Sequence, residues 1–299
     1  MLPLLFAAQA AAHVAAGSAP PSKLPTPNDI VASSPASAWK GIPADDLIVI
    51  DLANGGRVVV QLAPAFAPVH VANIKALARS GYWNGASVYR LQDNYVAQWG
   101  LNESEKPWPA GVNPKPPAEY TRPLKGLKIK PLRSPDAYAP GVGFVDGWPV
   151  AYSAGKGWAT LTHCYSSVGV GRDLAPDTGT GGELYAVIGN APRQLDRNIA
   201  LVGRVVDGID RLSSLPRGTE ALGFYKDKAQ YAPIASIRMA SDIPLPARPA
   251  FEVMDTASAT FAKYLRLRAN RHDAFYEVPA GGVDVCNVQI PVRKLNPVR

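Results

Sequence analysis

The chain has 299 residues, of which 47 % are apolar, enough to bury the core of one large or two modest domains and to exclude disorder throughout. Its formal charge of +7 is modest for this length. The only concentration of cations, Thr121 to Arg133 with five and no acid, reads as a solvated loop or a lysine-protected edge strand. No nucleic-acid partner is therefore expected.

Residues 1–17, MLPLLFAAQAAAHVAAG, are apolar and alanine-rich with A-x-A sites suited to cleavage, and read as an export signal although no basic residue precedes the apolar run. The run is too short for a membrane span, and no other segment approaches the required length. The expectation is an exported, periplasmic protein without stable membrane insertion. Residues 18–45, rich in Pro, Ser and Ala and lacking periodicity, read as a linker.

Folding is expected to begin at Asp46. LIVIDL and GRVVVQL flank Ala53-Asn54-Gly55-Gly56, an Asn-Gly hairpin signal. From Val69 to Arg79, apolar Val69, Ala72, Ile74, Leu77 and Ala78 recur at helical spacing, and Gly81 stands where a C-terminal glycine cap belongs. Strand alternation resumes through Val88, Arg90 and Gln92. Residues 101–157 break the pattern: ten prolines between Pro107 and Pro149 allow no helix, so the segment reads as an insertion of loops and short strands. It is expected to wrap the body of the domain beside the site. Regular structure returns with WATLTHC, LYAVIG, IALVGRVV, a short helix DGIDRLSSL and a closing strand PIASIRMAS. Residues 242–299 form an extension, with an amphipathic stretch from Glu252 to Arg271 and a β-like tail, VDVCNVQIPV. Many short strands with few helices predict an antiparallel barrel or sandwich.

The most informative stretch is VYRLQDNYVAQWG, Val88 to Gly100, which puts Arg90, Tyr95 and Gln98 on one side of a sheet. A guanidinium and an amide beside an apolar wall lack a nucleophile but suit the carbonyl next to a proline ring. This spacing resembles the cyclophilin family of peptidyl-prolyl isomerases, with Arg90, Tyr95, Val96, Gln98 and Gly100 on matching positions. Two further blocks extend the resemblance over residues 46–241: GGRVVVQLAPAFAPVHVANIKALARSGYWNGASVYR upstream and GELYAVIGNAPRQLDRNIALVGRVVDGID downstream. It implies a mainly β fold, an eight-stranded antiparallel barrel capped by two helices, to which this chain adds the proline-rich insertion and the C-terminal extension.

The resemblance also implies the chemistry. Rotation about a prolyl amide meets a barrier of about 18–20 kcal/mol, although its two ends differ by only about 0.5–1 kcal/mol. A cationic donor to the prolyl nitrogen lowers that barrier as the lone pair localises, without nucleophile, metal or cofactor. Arg90 takes that role and Gln98 holds a substrate carbonyl. Tyr95, Val96, Tyr185 and Leu195 form the proline pocket with Leu161 behind them, Thr162 and His163 meet the peptide backbone at a strand edge, and Glu183 stands beside the site. The partners are proline-containing polypeptides, and the oligomeric state is open. Tyr89, Trp99, Glu183, Arg193, Gln194 and Ile199 depart from the family pattern, Glu183 being placed to pair with Arg90. These departures keep a second reading in play, a cyclophilin-like binding module or chaperone with little turnover. Cys164 and Cys286, the only cysteines, read as two free or buried thiols, with one disulfide as the alternative.

Overall fold

The computed structural model describes residues 25–101, 106–273 and 275–295; residues 1–17, read as a signal, lie outside them. A closed antiparallel barrel forms the larger part. Around it run the strands Ser167–Val170, Leu184–Val187, Val96–Gly100, Ser87–Leu91, Ala232–Met239, Leu47–Leu52, Arg57–Leu62 and Leu201–Asp207, the last pairing with the first. The hairpin between Leu47–Leu52 and Arg57–Leu62 closes through Gly55, whose φ of 85° suits glycine, and through the bond from Leu52 N–H to the Gly56 carbonyl.

The Pro68–Arg79 helix caps the barrel by burying Val71, Ile74, Leu77 and Ala78. The buried face is thus turned from the one read in the sequence, because Ala72 is exposed and His70 and Asn73 are buried instead. Both polar residues are satisfied by the insertion: His70 Nδ1 meets Glu119 at 2.7 Å, and Asn73 donates to the Asn113 carbonyl at 2.8 Å. The helix ends at Gly81, with φ 67° and the Tyr82 N–H returning to the Leu77 carbonyl.

The remaining segments do not behave as linker, loop and tail. Of residues 18–45, the described part carries a Pro27–Ala32 helix with a Thr26/Asp29 capping box and a strand Trp39–Gly41. That strand pairs with Ala250–Met254, which pairs with Val292–Leu295. The insertion folds into a five-stranded sheet from Arg122–Pro123, Trp158–Leu161, Trp148–Ser153, Gly141–Val145 and Lys130–Leu132. Trp158–Leu161 therefore belongs to the inserted sheet, and the barrel resumes only at Ser167. Within the Glu252–Arg271 stretch, the chain first completes the Ala250–Met254 strand and turns helical only over Ala259–Ala269.

These three pieces share a second core. Ala38 and Trp39 from the N-terminal piece, Leu132, Val142, Phe144 and Ala151 from the insertion, and Met254, Phe261, Tyr264, Val285 and Val288 from the extension pack together. Each piece contributes only part of this core, so no element of it is buried by its own segment alone. Two interfaces join this unit to the barrel, one through Phe251 and Val253 against Leu47, Val49 and Val59, the other through Val145, Trp148 and Val150 against Ala63, Phe66 and Leu201.

Cys164 and Cys286 are joined in a disulfide across 122 positions of sequence, which corrects their reading as thiols. The bridge ties the start of the returning barrel segment to the extension. Closing so long a loop restricts the unfolded chain strongly, so replacing both cysteines by serine is expected to lower stability by about 2–5 kcal/mol. Chemical denaturation measures this; an unchanged midpoint would mean that the two cores hold the pieces without the bridge.

Candidate active site

The site is a row of outward-facing residues on four neighbouring barrel strands. Arg90 pairs with Gln98, Gln98 with Tyr185, and Tyr185 with Gly169, so strand register alone puts these four on one face. Arg90 Nη1 donates to Gln98 Oε1 at 2.9 Å. Gly169 belongs to the row because a Cβ there would overlap the ring of Tyr185.

Tyr89 enters the same site through a β-bulge. The pairing jumps from Val88 opposite Trp99 to Arg90 opposite Gln98, leaving Tyr89 as the extra residue. Adjacent residues on a regular strand would point to opposite faces, and a bulge re-aims one of them. The Gln98 amide N–H donates to Tyr89 Oη in a short bond, and the Tyr89 hydroxyl donates to Glu183 Oε2 at 2.7 Å. The amide of Gln98 is thereby fixed in one orientation, its oxygen toward Arg90 and its nitrogen toward Tyr89. Gly100 leaves room for this arrangement, since a Cβ there would collide with the Glu183 carboxylate.

The structure thus separates Glu183 from Arg90, which were expected to pair. Arg90 has neutral partners throughout: Gln98, the Gln92 amide oxygen at 2.8 Å from Nη2, and the Leu222 carbonyl at 2.7 Å from Nε. Phe224 lies under the guanidinium, 5.4 Å from it to the ring centroid, and stacks on Tyr89. Burial lowers the Arg90 pKa, while the neighbouring Tyr95, Tyr89 and Tyr185 pull it the other way. Three of the five guanidinium N–H groups are committed, leaving two. The site therefore holds a partly buried cation whose charge no carboxylate among the described residues neutralises.

Beside it Tyr95 and Ile199 pack on Val96, Tyr185 and Val187, an apolar floor next to the donor. Leu195 lies half-buried in the Arg193–Leu195 turn, outside that cluster. Three other expected contacts are displaced. Leu161 packs with Trp148, Val150 and Leu201 at the junction with the inserted sheet. Thr162 is buried, its hydroxyl 3.2 Å from Cys164 Sγ. His163 is fully buried behind the pocket, with Nδ1 2.9 Å from Asp196 and Nε2 3.0 Å from Tyr185 Oη. The strand edge beside Tyr185 belongs to Ser167–Val170 instead, a few residues later in the chain. Arg193 is likewise buried, bonded to Asp196 and to Asp136 of the insertion, and only Gln194 is exposed. Sequence reasoning missed Leu222 and Phe224, which lie on an aperiodic loop, and Val187, whose strand gave no sign of which face it shows. Gln92 was named in the sequence only as part of a Val88, Arg90 alternation that the bulge at Tyr89 breaks, Val88 lying in the barrel core.

Comparison with known proteins agrees with this geometry. The model of the cyclophilin type peptidyl-prolyl cis-trans isomerase/CLD family matches residues 47–240. Proteins named probable peptidyl-prolyl cis-trans isomerase from Brucella suis biovar 1 and Brucella melitensis biotype 1 are each 26% identical over 187 residues, covering 59% of this chain and 74% of theirs. The crystal structure of cyclophilin AquaCyp293 from Hirschia baltica superposes with a TM-score of 0.69 at 22% identity, covering 91% of this chain and 98% of that one. The chain belongs to the cyclophilin-type peptidyl-prolyl cis-trans isomerases. The likeness to the Hirschia baltica fold reaches well beyond the barrel into the second unit.

Burial and the Glu183 charge push the Tyr89 pKa well above the ordinary tyrosine value, and burial does the same for Tyr185. A pKa raised in the folded state gives a contribution that is complete below the unfolded value of about 10 and is lost as pH rises past it, because the unfolded chain then releases a proton the folded chain keeps. Alkaline titration of the folded protein followed by phenolate absorbance should therefore find Tyr89→Phe forming as much phenolate by about pH 11 as the parent. A loss of one phenolate equivalent would mean that Tyr89 titrates normally and does not hold Glu183.

Proposed function

We propose that Arg90 is the residue that accelerates prolyl isomerisation and that Gln98 anchors the substrate beside it. The observation that carries this reading is the guanidinium of Arg90, held by neutral acceptors and without a carboxylate among the described residues, next to the apolar floor of Tyr95, Val96, Tyr185, Val187 and Ile199. A proline ring on that floor brings its amide nitrogen beside the cation. As the C–N bond twists, resonance is lost and the nitrogen lone pair localises; a donor that strengthens its bond at that moment binds the twisted state more tightly than either planar one. Gln98, with its amide oriented by Arg90 and Tyr89, meets a neighbouring backbone group of the substrate, keeping one side of the rotating bond still.

The substrates in this reading are proline-containing polypeptides, and the setting is an oxidising, exported compartment where the enzyme assists the folding of exported proteins. The Cys164–Cys286 disulfide supports that setting, since such bridges persist outside reducing cytoplasm. The export-like residues 1–17 point the same way.

Arg90→Ala is expected to lower the isomerisation rate of a test peptide by a factor on the order of 10² to 10³, as removal of one preorganised donor does in other polar transition states. Gln98→Ala should cost less, because the amide holds the substrate in the planar and twisted states alike. Near-UV circular dichroism checks that each variant is folded. A folded Arg90→Ala protein with the parent rate would take Arg90 out of the mechanism.

A further inference from the structure

A cavity lies where the barrel meets the second unit. Its volume of about 380 Å³ is within the range of about 300–1,000 Å³ usual for small-molecule sites. Trp148 and Leu161 of the inserted sheet, Val206 of the barrel, and Ile290 and Val292 of the extension give it largely apolar walls, while Arg90, Gln98 and Tyr185 take no part in it. The wall also holds one buried cation, Arg204, which is 8 % exposed.

The surroundings of Arg204 are unlike those of the other buried arginine. Arg193 has two carboxylates, Asp136 and Asp196. Arg204 has none among the described residues: Nε and Nη2 both donate to Gln61 Oε1, at 3.1 and 2.8 Å, and Nη1 donates to the Gly147 carbonyl at 2.6 Å. Trp148 covers one face, 4.5 Å from guanidinium to ring centroid. Three of five N–H groups are used, leaving two. Burial alone pulls the pKa of this group down to about 9. Asp207, the acid in the cavity wall, is taken by Lys294 at 3.1 Å. A buried cation without a counter-charge is costly, and an anion arriving in the cavity would relieve that cost.

We infer that this cavity binds a small amphiphilic carboxylate, its head group meeting Arg204 and its aliphatic or aromatic body filling the space between Leu161, Val206, Ile290 and Val292. The carboxylate suits the guanidinium because the two can share paired, charge-assisted hydrogen bonds. The volume is of the size that free small molecules occupy, which is the occupant this cavity would take. The site spans all three parts of the chain that build the junction, so an occupant would bind the assembled molecule and not its unfolded pieces.

Isothermal titration of the full chain, disulfide intact, with decanoate tests this, with decanol and decyltrimethylammonium as neutral and cationic counterparts. Decanoate is expected to saturate a single site and the two counterparts are not. Arg204→Met should weaken decanoate binding by about tenfold or more, the usual loss when a charge-assisted pair is removed. Val206→Phe fills the cavity while keeping the Arg204 side chain, so it keeps the test decisive if Arg204→Met does not fold; it should weaken binding as much while leaving the isomerisation rate unchanged. Decanol binding as tightly as decanoate, no decanoate binding, or an unaltered affinity in Val206→Phe would overturn the proposal. So would a short apolar peptide with a free C-terminal carboxylate that occupies the site where decanoate does not.

Discussion

The bond between the Arg90 guanidinium and the Gln98 amide oxygen sets the orientation of the Gln98 amide and of the Tyr89–Glu183 pair beyond it. Cross-strand register places the two side chains on one face, and once the amide oxygen accepts from Arg90 its nitrogen must seek an acceptor elsewhere. Tyr89 supplies that acceptor only because the bulge turns it into the site, and the tyrosine proton then goes to Glu183. Two residues that depart from the family pattern therefore work as a pair. Tyr89 and Glu183 take up the amide nitrogen of Gln98 and keep the carboxylate away from the cation, which Arg90 needs if its charge is to act on a substrate.

The same site is braced from behind by a buried polar chain. Asp136 of the insertion holds Arg193, Arg193 holds Asp196, Asp196 accepts from the His163 backbone N–H, and the His163 ring reaches Tyr185 at the floor of the pocket. Buried polar groups of this kind are costly unless each finds a partner, and here each does. Through Asp136 the insertion supports the Arg193–Leu195 turn and, by way of Asp196 and His163, the Tyr185 strand. With the second core, the disulfide and the apolar interface at Trp148, it makes barrel and second unit one mechanical object.

The barrel and the outward row were legible in the sequence because their signals are local. The Asn-Gly turn and the helix ending at Gly81 each depend on residues within a few positions, whereas the alternation read through Val88, Arg90 and Gln92 is broken by the bulge at Tyr89, which leaves Val88 in the barrel core and Arg90 outside. What failed was whatever depends on distant partners. Residues 27–41 looked like linker because their pairing strand, Ala250–Met254, lies two hundred residues on. The disulfide was unreadable for the same reason, since nothing near Cys164 or Cys286 announces the other. The resemblance placed Thr162 and His163 at a strand edge facing the peptide, but Trp158–Leu161 belongs to the inserted sheet and the barrel resumes only at Ser167. Pairing of Glu183 with Arg90 was a reasonable expectation from charge alone. Geometry decided otherwise, because the bulge brought Tyr89 to the carboxylate first.

The central claim is that the free side of Arg90, oriented with Gln98, faces the prolyl amide of a bound chain. Side-chain NMR reports this directly: the Arg90 Nε–H and Gln98 amide resonances can be followed while a short proline-containing peptide is added to the folded protein. Both signals should shift together and saturate at one peptide concentration, with the Arg204 Nε–H signal unmoved. Saturable shifts on residues elsewhere, with Arg90 and Gln98 unchanged, would contradict the account.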